Sequence, residues 1–379
     1  MKTVRAAEVG LLAGSIVIAL ALSEILVRIF LPVPERVRVE RLPDAEGPLE
    51  AGRPQPHPLP DTINELIIDT PTGRRMRPHA VATIETLGSM TIRTNALGYR
   101  NPEIGAKHAR RILFLGDSIA FGQGVPEEET FVRRHEELSR SAGEPIETIN
   151  SAVPGIGLES ELAIFLETGV ATEPDVVVLC FYLNDALPSP GVRILPVPRA
   201  LEWSRLALYL AKSVALLRDR PDADIDRSET EAWLAELRER YPAGDGDPTR
   251  DRPAFNRLVQ EAYRDWGSAW TEGAWRRIDP LLAELKRDTE LRSIDLRIVC
   301  LPVAAQVRAG FITDEPQRRL RASSENLGIP FLDLLPILRQ TKETSERPLF
   351  IDHCHLTSEG HALVARALLD FLASPERRR

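Results

Sequence analysis

Cysteine is scarce in this chain. Three cysteines among 379 residues cannot all pair with one another, so a disulfide framework is excluded. Cys180 and Cys300 sit in apolar, strand-like runs and read as buried thiols. Neither C-x-x-C nor H-E-x-x-H spacing occurs, which removes the common zinc signatures. His353 and His355 could ligate a metal, but the chemistry argued below uses such residues otherwise, and no metal or cofactor is expected. Excess positive charge is also missing. The formal net charge is -8, which excludes a general nucleic-acid footprint. Internal repeats are absent. Aromatic residues make up only 6%, and their placement is uneven. All five tryptophans, at 203, 233, 266, 270 and 275, fall in one stretch.

Long apolar runs are confined to the N-terminus. Lys2 and Arg5 precede an apolar segment from Val9 to Leu22, and apolar residues resume through Leu31, interrupted by Ser23, Glu24 and Arg28. Glu24 and Arg28 are four apart and can neutralise each other on a helix. Pro32 and Pro34 stop the helix. The expectation is a membrane anchor over residues 1–32, since Val9 to Leu31 is long enough to span a bilayer. A cleaved signal peptide is the alternative, because Ala19-Leu20-Ala21 resembles a small-x-small cleavage site. The apolar pattern continues past that site, which favours the anchor. A short tail with a basic start places the tail inside and the large domain outside, in the periplasm. Residues 33–62, rich in Pro, Glu and Arg, read as a tether. Residues 63–107 read as a small β-containing lead-in, with strand-like runs at Ile63 to Ile68 and Met90 to Thr94.

From residue 108 to 373 the pattern is α/β. Ile112 to Leu115, Ile146 to Ile149, Val176 to Phe181, Leu296 to Leu301 and Ile329 to Leu332 are short apolar strands. Phe131 to Leu138, Leu158 to Leu166 and Ser358 to Leu372 suit helices, the last with Thr357 as N-cap. Apolar strands alternating with amphipathic helices indicate a parallel sheet covered on both faces. The expected architecture is three-layer α/β/α with a five-stranded parallel sheet. About a hundred residues, 188–287, separate the third and fourth strands, far more than one crossover needs. This insertion reads as helical, with Leu201 to Leu217 strongly amphipathic. Its tryptophans are either a substrate platform or, as favoured here, mostly the insertion's own small core.

Three short words fall where strands end. Gly116-Asp117-Ser118 follows the first strand, and glycine there suits a tight turn. Val153-Pro154-Gly155-Ile156-Gly157 follows the second, where a glycine lets a backbone N–H approach a carbonyl oxygen. Leu183-Asn184-Asp185 follows the third, and an Asn side chain can complete an oxyanion hole; the plainer reading is a strand-end turn capped by Asp185. A fourth word, Asp352-His353-Cys354-His355, opens the last helix. There an Asp can hold a His three residues on in one tautomer. His353 is the competing base, and His361 reads as structural. In a parallel sheet these strand ends line one crevice. A nucleophile, an oriented base and an oxyanion donor are the parts of acyl transfer through serine.

These blocks resemble the SGNH/GDSL hydrolase superfamily, whose core is flavodoxin-like. The resemblance covers roughly 108–187 and 293–373, with Asn95-Ala96-Leu97-Gly98-Tyr99-Arg100 as a family-like lead-in. It implies Ser118 as nucleophile, His355 as base and Asp352 as its orienter. The oxyanion hole would be the Ser118 and Gly155 N–H groups with the Asn184 side chain. The implied activity is hydrolysis of a carboxylic ester, of an acylated glycan or a lipid, through an acyl-enzyme. One departure stands out: the leading Gly of the third block is Tyr182. An envelope polysaccharide O-acyltransferase would use the same triad, and a non-catalytic binding protein would keep only the fold.

Overall fold

The computed structural model describes residues 2–31, 37–39, 63, 66–70, 73–84, 90–189, 192–194, 204–207, 209–210, 213, 228–240, 252–344 and 347–373. Most of the expected tether, Trp203 and much of Leu201 to Leu217 lie outside them. The chain forms two units, one of residues 1–38 and 193–224, the other of 39–192 and 225–379.

In the first unit, Lys2–Phe30 is one helix of 29 residues. The side chains before Gly14 are outside the described ones. Among the described residues no helix is long and apolar enough to cross a membrane. Arg28 Nε donates to Glu24 at 2.6 Å, as the four-residue spacing leads one to expect. Glu24 has further partners. It accepts the backbone N–H groups of Arg205 and Leu206, each at 2.9 Å, and the Ser204 hydroxyl at 2.8 Å. Orphan N–H groups at the start of a second helical segment are thereby satisfied. Arg205 in turn donates to the carbonyls of Arg28 and Leu31, at the C-terminal end of the first helix.

The second unit is built on five strands: β1 (Arg110–Gly116), β2 (Ile146–Asn150), β3 (Val176–Tyr182), β4 (Asp295–Leu301) and β5 (Phe331–Asp333). All pairings are parallel, in the order β5-β4-β3-β1-β2. Every residue of β3 is buried, which is why its sequence is apolar without alternation. The connections from β1 and β3 run to opposite sides, so the crevice between these two strand ends is the topological switch point where ligands bind.

Two elements differ in detail from the sequence reading. The fifth strand begins at Phe331 rather than Ile329. The Ile329 N–H is taken by the Ser324 carbonyl as the preceding helix ends, with Gly328 at φ +64°. Pro330 has no N–H to give, so ladder pairing starts one residue later. The helix after β2 is α-helical only over Leu158–Ile164, then widens into a π turn over Phe165–Gly169. A Cβ on Gly169 would lie 2.8 Å from Leu113 Cδ2, so the turn is pressed against β1. The last helix, Ser358–Phe371, has Thr357 as N-cap, its hydroxyl accepting from Gly360 N–H.

The lead-in is two antiparallel strand pairs, Ile67–Thr70 with Gly73–Met76 and Val81–Ile84 with Met90–Arg93. Asn95 then organises a turn, its Oδ1 accepting the N–H groups of Leu97 and Tyr99. The turn delivers Arg100 into the core, where its guanidinium donates to the carbonyls of Phe121, Gly122 and Val125. The insertion contributes helices Ser228–Arg240 and Arg252–Glu261, a π turn Ala262–Trp266, and the long crossover helix Glu272–Glu290. Trp233 stacks on Trp270 at 4.7 Å, and Trp266 meets both edge-on. Trp275 stacks on Phe181. These four tryptophans pack into cores, as favoured from sequence.

Gly116 matters for space rather than for turn freedom, because its φ is not positive. A Cβ there would sit 2.6 Å from Ala120 Cβ and 3.2 Å from Cys180 Cβ. Gly116→Ala is therefore expected to destabilise by about 1–3 kcal/mol through overpacking. Urea unfolding measures it, and an unchanged midpoint would show that the neighbours have room to yield.

Candidate active site

Ser118 opens a single helical turn, Ser118–Phe121, directly after β1. Asp117 is its N-cap and accepts the Ile119 N–H at 2.9 Å. The cap turns the chain sharply out of the sheet and leaves the Ser118 Oγ at the C-terminal edge, 9% exposed. That oxygen is 2.9 Å from His355 Nε2. His355 Nδ1 is 2.6 Å from Asp352 Oδ2. An ionised carboxylate can only accept, so Nδ1 carries the proton and Nε2 faces the hydroxyl as an acceptor.

The loop geometry makes this possible. Asp352 Oδ1 accepts the N–H groups of Cys354 and His355, at 2.9 and 2.8 Å. The other oxygen is thus aimed at the imidazole of the residue three along. Burial pushes the Asp352 carboxyl up, but the hydrogen bond and charge of His355, with those two N–H groups, outweigh it and hold the acid well below the usual carboxylate range.

Gly155 lies in the loop after β2, at φ +72°. It is the single exposed residue of 151–160. A side chain would be strained there whatever the space. Asn184 follows β3 in a short 3-10 turn. Its Nδ2 donates to Asp117 Oδ2 at 3.1 Å, which uses one amide hydrogen and leaves the second. Asp185 also caps the strand end, accepting the Tyr182 N–H at 2.9 Å. The structure brings Ser118, His355 and Asp352 into one hydrogen-bonded chain, and Asp117 ties Asn184 to the serine turn.

His353 takes a different direction from His355. Its Nε2 lies 3.0 Å from Asp265 Oδ2, on the insertion. The Tyr182 hydroxyl donates to the same oxygen at 2.8 Å. His361 is fully buried and stacked on Phe131, and its Nδ1 accepts the Phe131 N–H. Burial pushes it down to about 3, so it stays neutral, as a structural histidine should. Asp265, His353 and Cys354 lie close enough together to hold a metal ion, as do Asp352, Cys354 and His355. Burial pushes the Cys354 thiol well up. Among the described residues the two histidines fall in different groups, with Cys354 common to both, and both lie against the Asp352 carboxylate.

Sequence reasoning passed over three contributors. Asp117 was read only as part of a turn, Arg100 only as part of a lead-in, and Asp265 not at all. Asp117 is also the front of a buried acid cluster with Glu161 and Asp185. Burial pushes Asp117 up to about 6. It pushes Glu161 and Asp185 well above their ordinary values, and their mutual repulsion adds to it.

No family model matches the chain, and no curated protein matches its sequence. In structure the chain is similar to a lipolytic protein of the G-D-S-L family from Desulfitobacterium hafniense, at 11% identity and TM-score 0.37, over 69% of this chain and 99% of that one. It is similar to a catalytic mutant of an acetylxylan esterase from Geobacillus stearothermophilus, at 15% identity and TM-score 0.40, over 70% and 94%. A third likeness is to the psychrotrophic esterase EstA from a Pseudoalteromonas species, at 12% identity and TM-score 0.36, over 69% and 96%.

The acid cluster makes a stability prediction. Above pH 4.5, the ordinary glutamate value, the unfolded chain has lost the Glu161 proton that the folded chain keeps. Wild-type stability therefore falls as pH rises from there toward the raised folded value. Glu161→Gln removes this loss, so the variant should gain on the wild type as pH rises. Urea unfolding at pH 5 and pH 8 tests it; a constant difference would mean that Glu161 ionises normally.

Proposed function

We propose that the chain is a serine hydrolase of carboxylic esters. The observation that carries this is the Ser118–His355–Asp352 chain, with links of 2.9 and 2.6 Å, at the sheet's switch point. His355 removes the Ser118 proton as the oxygen attacks the ester carbonyl. Asp352 holds the imidazole tautomer and stabilises the imidazolium that forms. The oxyanion rests on the N–H groups of Ser118 and Gly155 and the free amide hydrogen of Asn184. His355 then protonates the departing alcohol. Water, activated by the same imidazole, releases the acid from the acyl-enzyme.

The N-terminal helix is the proposed tether of this enzyme to a membrane, with the catalytic unit on the outer, periplasmic face. Support comes from the described part of Lys2–Phe30, where Ile16, Val17, Ile18, Leu20, Leu22, Ile25, Leu26, Ile29 and Phe30 are all exposed. An ester substrate borne by an envelope glycan or a lipid fits that placement.

The first test is turnover of short and long p-nitrophenyl esters by the full chain and by Ser118→Ala. Hydrolysis lost in the variant is the expected result, and equal rates in both would end the proposal. Slow hydrolysis that becomes fast transfer when a sugar acceptor is added would reassign the acyl-enzyme to O-acyl transfer. Asn184→Ala should lower kcat by the equivalent of about 3–4 kcal/mol, the usual loss of one oxyanion donor, with the fold retained. Near-normal kcat would remove Asn184 from that role.

A further inference from the structure

His355 acts only if the loop that carries it is held in place, and backbone contacts do part of this. The Ile351 N–H donates to the His355 carbonyl, the Ala304 N–H to the His353 carbonyl, and Phe350 bridges to Leu356. A further anchor is a side chain. His353, whose ring is 9% exposed, reaches Asp265 at 3.0 Å. The same Asp265 oxygen receives the hydroxyl of Tyr182, a fully buried side chain at the last residue of β3. Tyr182 stands two residues before Asn184. One carboxylate thus joins the loop that bears the base to the strand end that bears the oxyanion amide, and it comes from neither. It comes from the π turn Ala262–Trp266 of the insertion, locked below by the tryptophan core.

We propose that Asp265 is a positioning residue for acyl transfer, tying His353 to Tyr182 and so fixing His355 and Asn184 relative to one another. The inference rests on the serine-hydrolase reading for its purpose, but not for its geometry. The insertion is then part of the catalytic framework, joined through this carboxylate to Tyr182 and His353.

The electrostatics agree with a charged tie. Burial pushes His353 down, but the hydrogen bond and charge of Asp265, helped by Asp352 and Glu261, outweigh it and leave the imidazole above its ordinary value. Asp265 itself faces Tyr182, Cys354 and Asp117. A histidine raised in the folded state contributes fully below its ordinary 6.5 and loses its contribution as pH rises through the raised value. The tie therefore weakens on the alkaline side.

The test uses the full chain with p-nitrophenyl acetate and a fluorophosphonate serine probe. In Asp265→Asn, which keeps an acceptor for Tyr182 but removes the charge, kcat and the rate of Ser118 labelling should fall by about 100-fold, the scale of a misplaced catalytic group. KM should change little. The wild type should show an alkaline fall in kcat that the variant lacks, and Asp265→Glu should recover part of the rate. If Asp265→Asn does not fold, His353→Gln removes the same charge pair from the other side and should give the same result. Folded variants with wild-type kcat and an unchanged alkaline limb would overturn the proposal. If the wild type and Ser118→Ala are equally inert and unlabelled, the hydrolase reading has failed instead. The tie is then read from the downfield proton of the His355–Asp352 hydrogen bond, which should be lost in Asp265→Asn; its persistence would also overturn the proposal.

Discussion

A carboxylate with no exposure to water, that of Asp117, links the two strand ends on which the site depends. One oxygen closes the turn that presents Ser118, and the other holds the Asn184 amide. Without this bridge the ends of β1 and β3 would be neighbours in the sheet but independent above it. Its position is expensive. Burial raises it to about 6, and Glu161 and Asp185 stand close enough to repel it. A carboxyl this deep costs stability unless hydrogen-bonded, charged or neutral, and among the described residues neither oxygen of Glu161 has a partner. The cluster is a place where local stability has been given up, and it sits directly behind the proposed nucleophile, where such costs are usually met.

The scaffold was largely legible because its signals are local. Fully buried parallel strands read as unbroken apolar runs, and β1 to β4 appear within two residues of where composition puts them. The helix after β2 is helical over the whole of Leu158 to Leu166, but its last two residues already belong to a π turn, which a 3.6-residue periodicity does not separate from an α turn. Gly116 was given the wrong reason. Sequence cannot separate a glycine needed for backbone freedom from one needed because another strand passes close by.

The candidate site divides along the same line. Asp352 and His355 are three apart, and their contact is made by one local turn, so spacing alone announces it. Ser118, Gly155 and Asn184 follow strands, and Asp117 joins the turns of the first and the last. Asp265 obeys neither rule. It is 88 residues from His353 and 83 from Tyr182, in a segment whose sequence says only that it is helical and rich in tryptophan. A single carboxylate among the 56 acidic residues of the chain carries no mark of its partners. The substitution of Tyr182 for the expected glycine was visible, but its meaning was not, because the group that receives its hydroxyl arrives from the insertion.

The N-terminal unit repeats this lesson with opposite chemistry. An acid inside an apolar helix looks like a defect that a basic neighbour four residues on repairs, and Arg28 does so. Yet Glu24 also receives two backbone N–H groups and a hydroxyl from residues 204–206, a full set of donors that one arginine could not supply. Arg205 completes the exchange by donating to the carbonyls at the end of the first helix, where a cation also suits the helix dipole. A glutamate so satisfied can lie in an apolar setting at much lower cost than a bare one. The interruption at residues 23–28 thus has partners of its own, and it fixes which part of the insertion accompanies that helix. Two of the insertion's attachments are carboxylates that gather several donors across a long sequence gap. Glu24 receives its residues 204–206, and Asp265 in its later part reaches the loop of the base.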